Sequence, residues 1–247
     1  MSAAAGSVNE EGRDEPQPIM AHLNELRWRL VRAAAAVFIG ALIGLLFKDW
    51  ATSVLERPYL DACSNACTFQ TIDPTEQFAV WMKVALFGGV LLGSPVILWQ
   101  IWGFINPALT SKERKWAVPI IMSCVTLFIL GVGFGYWTLP RALNFLTSIF
   151  DVQVALTLSN YFSFALRYLL AFGASFLYPV FLFAAAAVGL VSSSQLAHGR
   201  RWAVLVIVVV AAAITPTGDA LTLTLLSVPL YLFYEITYWL VRLVLRK

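Results

Sequence analysis

From Leu30 onward, long apolar runs alternate with short polar breaks. The runs fall at about 30–47, 78–105, 116–139, 162–191, 202–214 and 221–240. A helix that crosses a bilayer needs ~20 apolar residues, so the pattern predicts an all-α chain with six transmembrane helices. The second and fourth runs are long and are expected to tilt or to project from the bilayer. The fifth has 13 residues, ~20 Å of helix at ~1.5 Å per residue, against a hydrocarbon core of ~30 Å. A tight Thr215-Pro-Thr-Gly-Asp-Ala220 break joins it to the sixth, so the last two helices are expected to form a short hairpin beside a thinned bilayer. Pro95, Pro179 and Pro229 each remove a backbone hydrogen bond inside a long run. Kinked there, the helices are expected to wrap into a wall with one concave face. Gly40–Gly44 and Gly131–Gly135 are small-xxx-small pairs suited to close packing within the chain.

Composition agrees with the pattern. The 247 residues are 60% hydrophobic and 13% charged, against about 45–50% and about 25% in a soluble domain, and the mean hydropathy is +0.76. The reading is one polytopic membrane domain over 21–247, preceded by a polar, disordered cytosolic tail over 1–20. No secretory apolar region follows Met1 at once, so the first helix is expected to do its own targeting. Lys and Arg set the orientation. With the N-terminus inside, Arg13, Arg27, Arg29, Arg32, Lys112, Arg114, Lys115, Arg200, Arg201, Arg242, Arg246 and Lys247 face the cytosol, 12 of the 17 basic residues. Lys48, Arg57, Lys83, Arg141 and Arg167 make up the other 5. Both termini are therefore expected inside, with outer loops at Lys48–Gln77, Pro140–Tyr161 and Thr215–Ala220.

Bond-making chemistry finds little to work with. The two histidines, His22 and His198, lie at cytosolic boundaries, and Ser175 has no histidine at its depth. The chain has no Gly-x4-Gly-Lys-Ser/Thr phosphate loop and no cluster at metal-ligand spacing. An enzyme, a cofactor, a metal or a nucleic-acid partner is not expected. Cys63 and Cys67, at i,i+4 on the outer side, can form a disulfide if their geometry allows. Cys124, inside the third helix, reads as a small packing residue.

Ionisable groups at membrane depth are costly and are candidates for function. Glu76 opens the second helix, either as a first-turn acid beside the caps Asp73 or Thr75 or as a docking group for a partner helix. Lys83, seven residues on, is placed to snorkel outward or to neutralise Glu76. Arg167 reads as snorkelling outward. Glu235 lies among Tyr231, Tyr234, Tyr238 and Trp239, an interfacial aromatic belt. Glu25, before the first helix, and Glu113, in Ser111-Lys-Glu-Arg-Lys115, are acids at one membrane surface. Such a pair suits capture of a dibasic, membrane-seeking peptide. Each also has an internal alternative: Glu25 with nearby arginines, Glu113 with Lys112, Arg114 or Lys115.

His22-Leu-x-Glu-Leu-Arg-x-Arg-Leu30 resembles the signature of the TatC family, the receptor subunits of the twin-arginine translocase. The likeness continues in Pro74-Thr-Glu-Gln-Phe78, in Ser94-Pro-Val-Ile-Leu-Trp-Gln-Ile-Trp-Gly-Phe-Ile-Asn-Pro-Ala-Leu109, in Tyr161-Phe-Ser-Phe164 and in Thr215-Pro-Thr-Gly-Asp219. The resemblance implies a multi-pass protein of the bacterial plasma membrane. It would bind signal peptides with consecutive arginines and support export of folded proteins driven by the proton-motive force. Implied partners are single-span TatA-like and TatB-like proteins, further copies of the chain, and the bilayer. By the same resemblance Glu25 and Glu113 form the receptor patch, with Arg27, Phe104 and Leu109 near it. Pro58 matches a proline of the first outer loop, Asp219 an acid of the last, and Glu76 a common acid at the outer end of the second helix. Many relatives carry a glutamate where this chain has Leu177. Thr215, Thr222 and Thr224 are the polar groups available for partner helices on the final hairpin. The alternative reading is a small-solute secondary transporter, which usually shows internal repeats and a polar site at the midplane. The halves of this chain show no convincing repeat.

Overall fold

The computed structural model describes residues 19–62, 69–70, 73–105, 117–150, 157–187, 189–215 and 219–245. Among them there is no strand; one bridge joins Gln70 to Thr157. The helices are α1 (Ile19–Leu46), α2 (Lys48–Ala62), α3 (Glu76–Ile105), α4 (Ala117–Phe150), α5 (Leu158–Ser175), α6 (Tyr178–Ala187), α7 (Ser193–His198), α8 (Arg200–Ile214) and α9 (Ala220–Leu240), with a π-helical end at Val241–Leu245. Among the described residues, five stretches are long and apolar enough to cross a membrane: Leu23–Leu46, Glu76–Phe104, Val118–Leu146, Leu158–Ala187 and Ala220–Leu243. The sixth apolar run is α8, whose 15 residues rise only ~22 Å.

The helices differ from the sequence pattern in four places. Helix α1 begins at Ile19, inside the segment read as tail. The segment expected to be the first outer loop contains α2, a polar helix that buries Thr52, Leu55, Pro58 and Tyr59. The third run continues through Pro140 to Phe150, because Leu139, Ala142 and Leu143 find a buried apolar surface beyond the proline. The fourth run is broken at Phe176–Leu177 into α5 and α6, just before Pro179, which has no N–H to continue the helix by bonding back to the Ser175 carbonyl.

Small residues bring α1 and α3 together. Gly40 lies against Gly89, Gly44 against Ala85, and Gly93 against Ala36. A Cβ on Gly89 would stand 2.5 Å from the Val37 carbonyl oxygen and 2.8 Å from the Ala41 nitrogen. Gly131 and Gly135 receive Phe172 of α5 and Phe176 just beyond it in the same way. Both glycine pairs thus pack within the chain. The main core lies on α5, where Tyr161, Phe162, Tyr168, Leu169 and Phe172 are almost fully buried. A second apolar cluster joins Leu98 and Trp102 to Ile120, Cys124, Leu177 and Val180. Cys124 is a buried free thiol there, and Leu177 fills the position where many relatives are expected to carry an acid.

Prolines inside helices leave a carbonyl without its donor four residues back. Side chains supply donors. Pro95 frees the Leu91 carbonyl, which accepts from the Ser94 hydroxyl at 2.8 Å. Pro58 frees the Val54 carbonyl, which accepts from the Tyr136 hydroxyl of α4 at 2.8 Å. One residue along, the Tyr161 hydroxyl of α5 donates to the Leu55 carbonyl at 2.6 Å. Tyr136 of α4 and Tyr161 of α5 therefore fasten α2 to both helices. Tyr136→Phe is expected to strip the Val54 carbonyl of its side-chain donor and lower stability by about 1–3 kcal/mol. Thermal unfolding in detergent checks this; an unchanged midpoint would mean that water replaces the hydroxyl.

Candidate functional site

The N-terminal turns of α1 carry Glu25, Arg29 and Arg32 at i, i+4 and i+7, one face of the helix. Acid before base at this spacing is the favourable order for a helical pair. Arg29 Nε donates to Glu25 Oε1 at 2.9 Å and Arg29 Nη2 to the same oxygen at 2.5 Å. Both side chains are about three-quarters buried, with 22% of Arg29 and 27% of Glu25 exposed. Together with Trp28 and Arg32 they line a hollow of about 430 Å³. The guanidinium lies over Gly103 near the C-terminal end of α3, where a Cβ would run into Nη1 and stand 2.9 Å from Cζ. The α1–α3 seam therefore brings Glu25 next to the segment that leads into 106–116.

Of the residues expected at this patch, Glu25 and Phe104 lie at this end of the α1–α3 pair, Phe104 beside Gly103. Arg27 is exposed and two positions from Glu25, which is ~200° around the helix. Leu109 and Glu113 lie outside the described residues, as do Cys63 and Cys67. Arg29 and Gly103 were not singled out from sequence. The Glu25–Arg29 spacing was the available signal for the first; nothing local marks the second.

The other polar positions are largely absorbed by internal bonds. Lys83 turns to α5, donating to the Ser159 and Ser163 hydroxyls at 2.8 Å each and to the Ser159 carbonyl at 3.4 Å. It makes no described ion pair with Glu76, since seven residues separate the two by ~10 Å along the helix while the serines stand opposite. Asp73 accepts from the Thr75 nitrogen at 3.0 Å, and hydrogen bonds from Thr75 hold its carboxyl below the usual carboxylate range. Glu76 Oε2 is buried with no described hydrogen-bond partner. Pro58 is buried in α2. Asp219 caps α9, accepting from the Thr222 nitrogen at 2.8 Å and the Thr222 hydroxyl at 2.6 Å. Thr222 faces inward and is fully buried, whereas Thr224 is exposed and donates to the Ala220 carbonyl at 2.7 Å. Thr215 is buried with no described partner for its hydroxyl. Glu235 pairs with Arg200 at 2.9 Å and accepts from Tyr231 at 3.1 Å, tying the start of α8 to α9. Arg167 is exposed on α5. The described residues hold no group of three or more His, Cys, Asp or Glu placed for a metal.

Comparison with known proteins gives one answer. The family model described as Sec-independent protein translocase protein (TatC) matches residues 21–229. A Sec-independent protein translocase protein TatC of Aquifex aeolicus is 36% identical over 235 residues, covering 93% of this chain and 97% of the relative. The TatC of Xylanimonas cellulosilytica is 36% identical over 237 residues, covering 93% and 85%. A crystal structure of the twin-arginine translocase receptor TatC superposes with a TM-score of 0.74 at 36% identity, over 90% of this chain and 98% of that one.

Proposed function

This chain belongs to the TatC family of Sec-independent protein translocase proteins, and on that premise we propose that it is the core subunit of a twin-arginine translocase. It binds signal peptides with consecutive arginines and supports export of folded proteins driven by the proton-motive force. It is a multi-pass membrane protein of the bacterial inner membrane, with six spans and both termini in the cytosol. It works with TatA-like and TatB-like single-span proteins and with further copies of itself, and it is not an enzyme. Glu25 and Glu113 read the two arginines, with Arg27, Phe104 and Leu109 around them. Glu76, Thr215, Thr224 and the cap Asp219–Thr222 shape the opposite end, where partner helices dock.

The observation that carries this reading is the position of Glu25. It lies in a hollow at the end of the α1–α3 pair, partly shielded from water and already bound to a guanidinium. A carboxylate so placed takes an arginine fork in two parallel bonds, which a lysine ammonium cannot match. The test is a signal peptide with a photoreactive residue beside its arginines. It is expected to crosslink to 20–32 and 100–116 of the purified protein, and to lose those crosslinks when both arginines become lysines. Crosslinks confined to α8 and α9, indifferent to that change, would contradict the reading.

A further inference from the structure

We propose that Arg29 is an internal stand-in for the signal's arginine. In the unliganded receptor its guanidinium occupies Glu25, and a signal arginine captures Glu25 by exchange. The inference rests on the receptor reading above and deepens it.

Three observations carry it. Arg29 already puts two guanidinium donors on the carboxylate a signal arginine would use, Nε at 2.9 Å and Nη2 at 2.5 Å, both on Glu25 Oε1. Its seat is Gly103, whose missing side chain makes room for the guanidinium. The surrounding hollow of about 430 Å³ leaves space for a second planar cation beside the first. The order of events follows from the chemistry. An incoming guanidinium replaces Arg29 like for like, so the exchange at Glu25 is nearly even, and a second arginine on the other acid tips it. An incoming ammonium replaces a two-point contact with a one-point contact, so a lysine pair must displace Arg29 at a loss. The stand-in thus weakens both peptides by the same factor, so an Arg-Arg signal still binds while the already weaker Lys-Lys peptide falls below useful occupancy.

The measurement is the dissociation constant of Arg-Arg and Lys-Lys signal peptides for the wild-type protein, Arg29→Gln, Gly103→Ala and Glu25→Gln. Gly103→Ala keeps every charge, and the atoms it meets are the mobile end of Arg29, so the helix stays while the guanidinium leaves. Arg29→Gln also removes a positive charge and is expected to tighten both peptides. In both variants the dissociation constants of both peptides are expected to fall by about fivefold, the worth of one partly exposed ion pair, with their ratio unchanged, because displacing Arg29 costs either peptide the same. Dissociation constants that do not fall in Gly103→Ala and Arg29→Gln would overturn the proposal. So would a loss of Arg-Arg binding in Arg29→Gln as large as that in Glu25→Gln, because Arg29 would then be holding Glu25 in place. Failure of the receptor reading looks different: the wild-type protein itself would bind the two peptides equally and ignore Glu25→Gln.

Discussion

Glu113→Ala is expected to weaken binding of an Arg-Arg signal by about 5- to 30-fold and to bring export of its folded cargo to background. The magnitude lies between two limits. An exposed ion pair is worth about 0–1 kcal/mol, and truncating one partner of a buried, hydrogen-bonded pair costs about 2–5 kcal/mol. A site at the membrane surface, shielded by Trp28 and the apolar part of the signal, falls between them. Long-range attraction does not explain recognition here. From 25 to 32 the chain has one acid and three arginines, and Glu113 is flanked by Lys112, Arg114 and Lys115. A dibasic peptide therefore approaches a surface whose nearby charges repel it. The selectivity has to come from short-range geometry, where each fork meets a carboxylate. Glu25→Ala is expected to match Glu113→Ala. The double variant is expected to lose less than the sum, since the two acids hold one peptide and the second contact has little left to hold once the first is gone. Export assays on cells that depend on this chain check all three; full export by Glu113→Ala would remove that acid from the site.

Gly89→Leu is expected to separate α1 from α3 and to destabilise the whole membrane domain. Overpacking a filled interface costs about 1–3 kcal/mol, and here the obstacles 2.5 and 2.8 Å from the new Cβ are Val37 and Ala41 backbone atoms, which no rotamer change can clear. The matched control is Gly133→Leu, because a Cβ there meets nothing within 4 Å. Thermal unfolding in detergent should show Gly89→Leu lower by several degrees or aggregated, with Gly133→Leu at the wild-type midpoint. The site should fail together with the seam, since Arg29, which holds Glu25, lies over Gly103 across the same pair of helices. Equal stability of the two variants would mean that α1 is free to slide along α3.

Much of this fold was legible in the chain. Apolar runs marked the membrane helices, since hydropathy over ~20 residues is a strong signal. The shortness of the fifth run and the close packing of both glycine pairs were also readable. Helix α2 was not, because its charges and Pro58 read as loop; its helix is completed by Tyr136, which lies 82 positions from Val54. The break at Phe176–Leu177 had a marker in Pro179, but a proline alone does not separate a kink from a break, as the continuous α3 around Pro95 demonstrates. Lys83 found its acceptors 76 and 80 residues away, a separation that no local rule spans. At the site, Glu25 and Phe104 were named from their motifs, whereas Gly103 was passed over because its role is the space it leaves.

The central claim is that two carboxylates of this chain read two adjacent arginines. The most direct test is equilibrium binding of a labelled signal peptide to the purified protein, comparing Arg-Arg with Lys-Lys on wild type and Glu113→Ala. Tight binding of Arg-Arg to wild type, lost both in the Lys-Lys peptide and in Glu113→Ala, is the predicted result. Equal binding in all four combinations would contradict the account, because the signal's apolar segment would then be partitioning without any reading of its arginines.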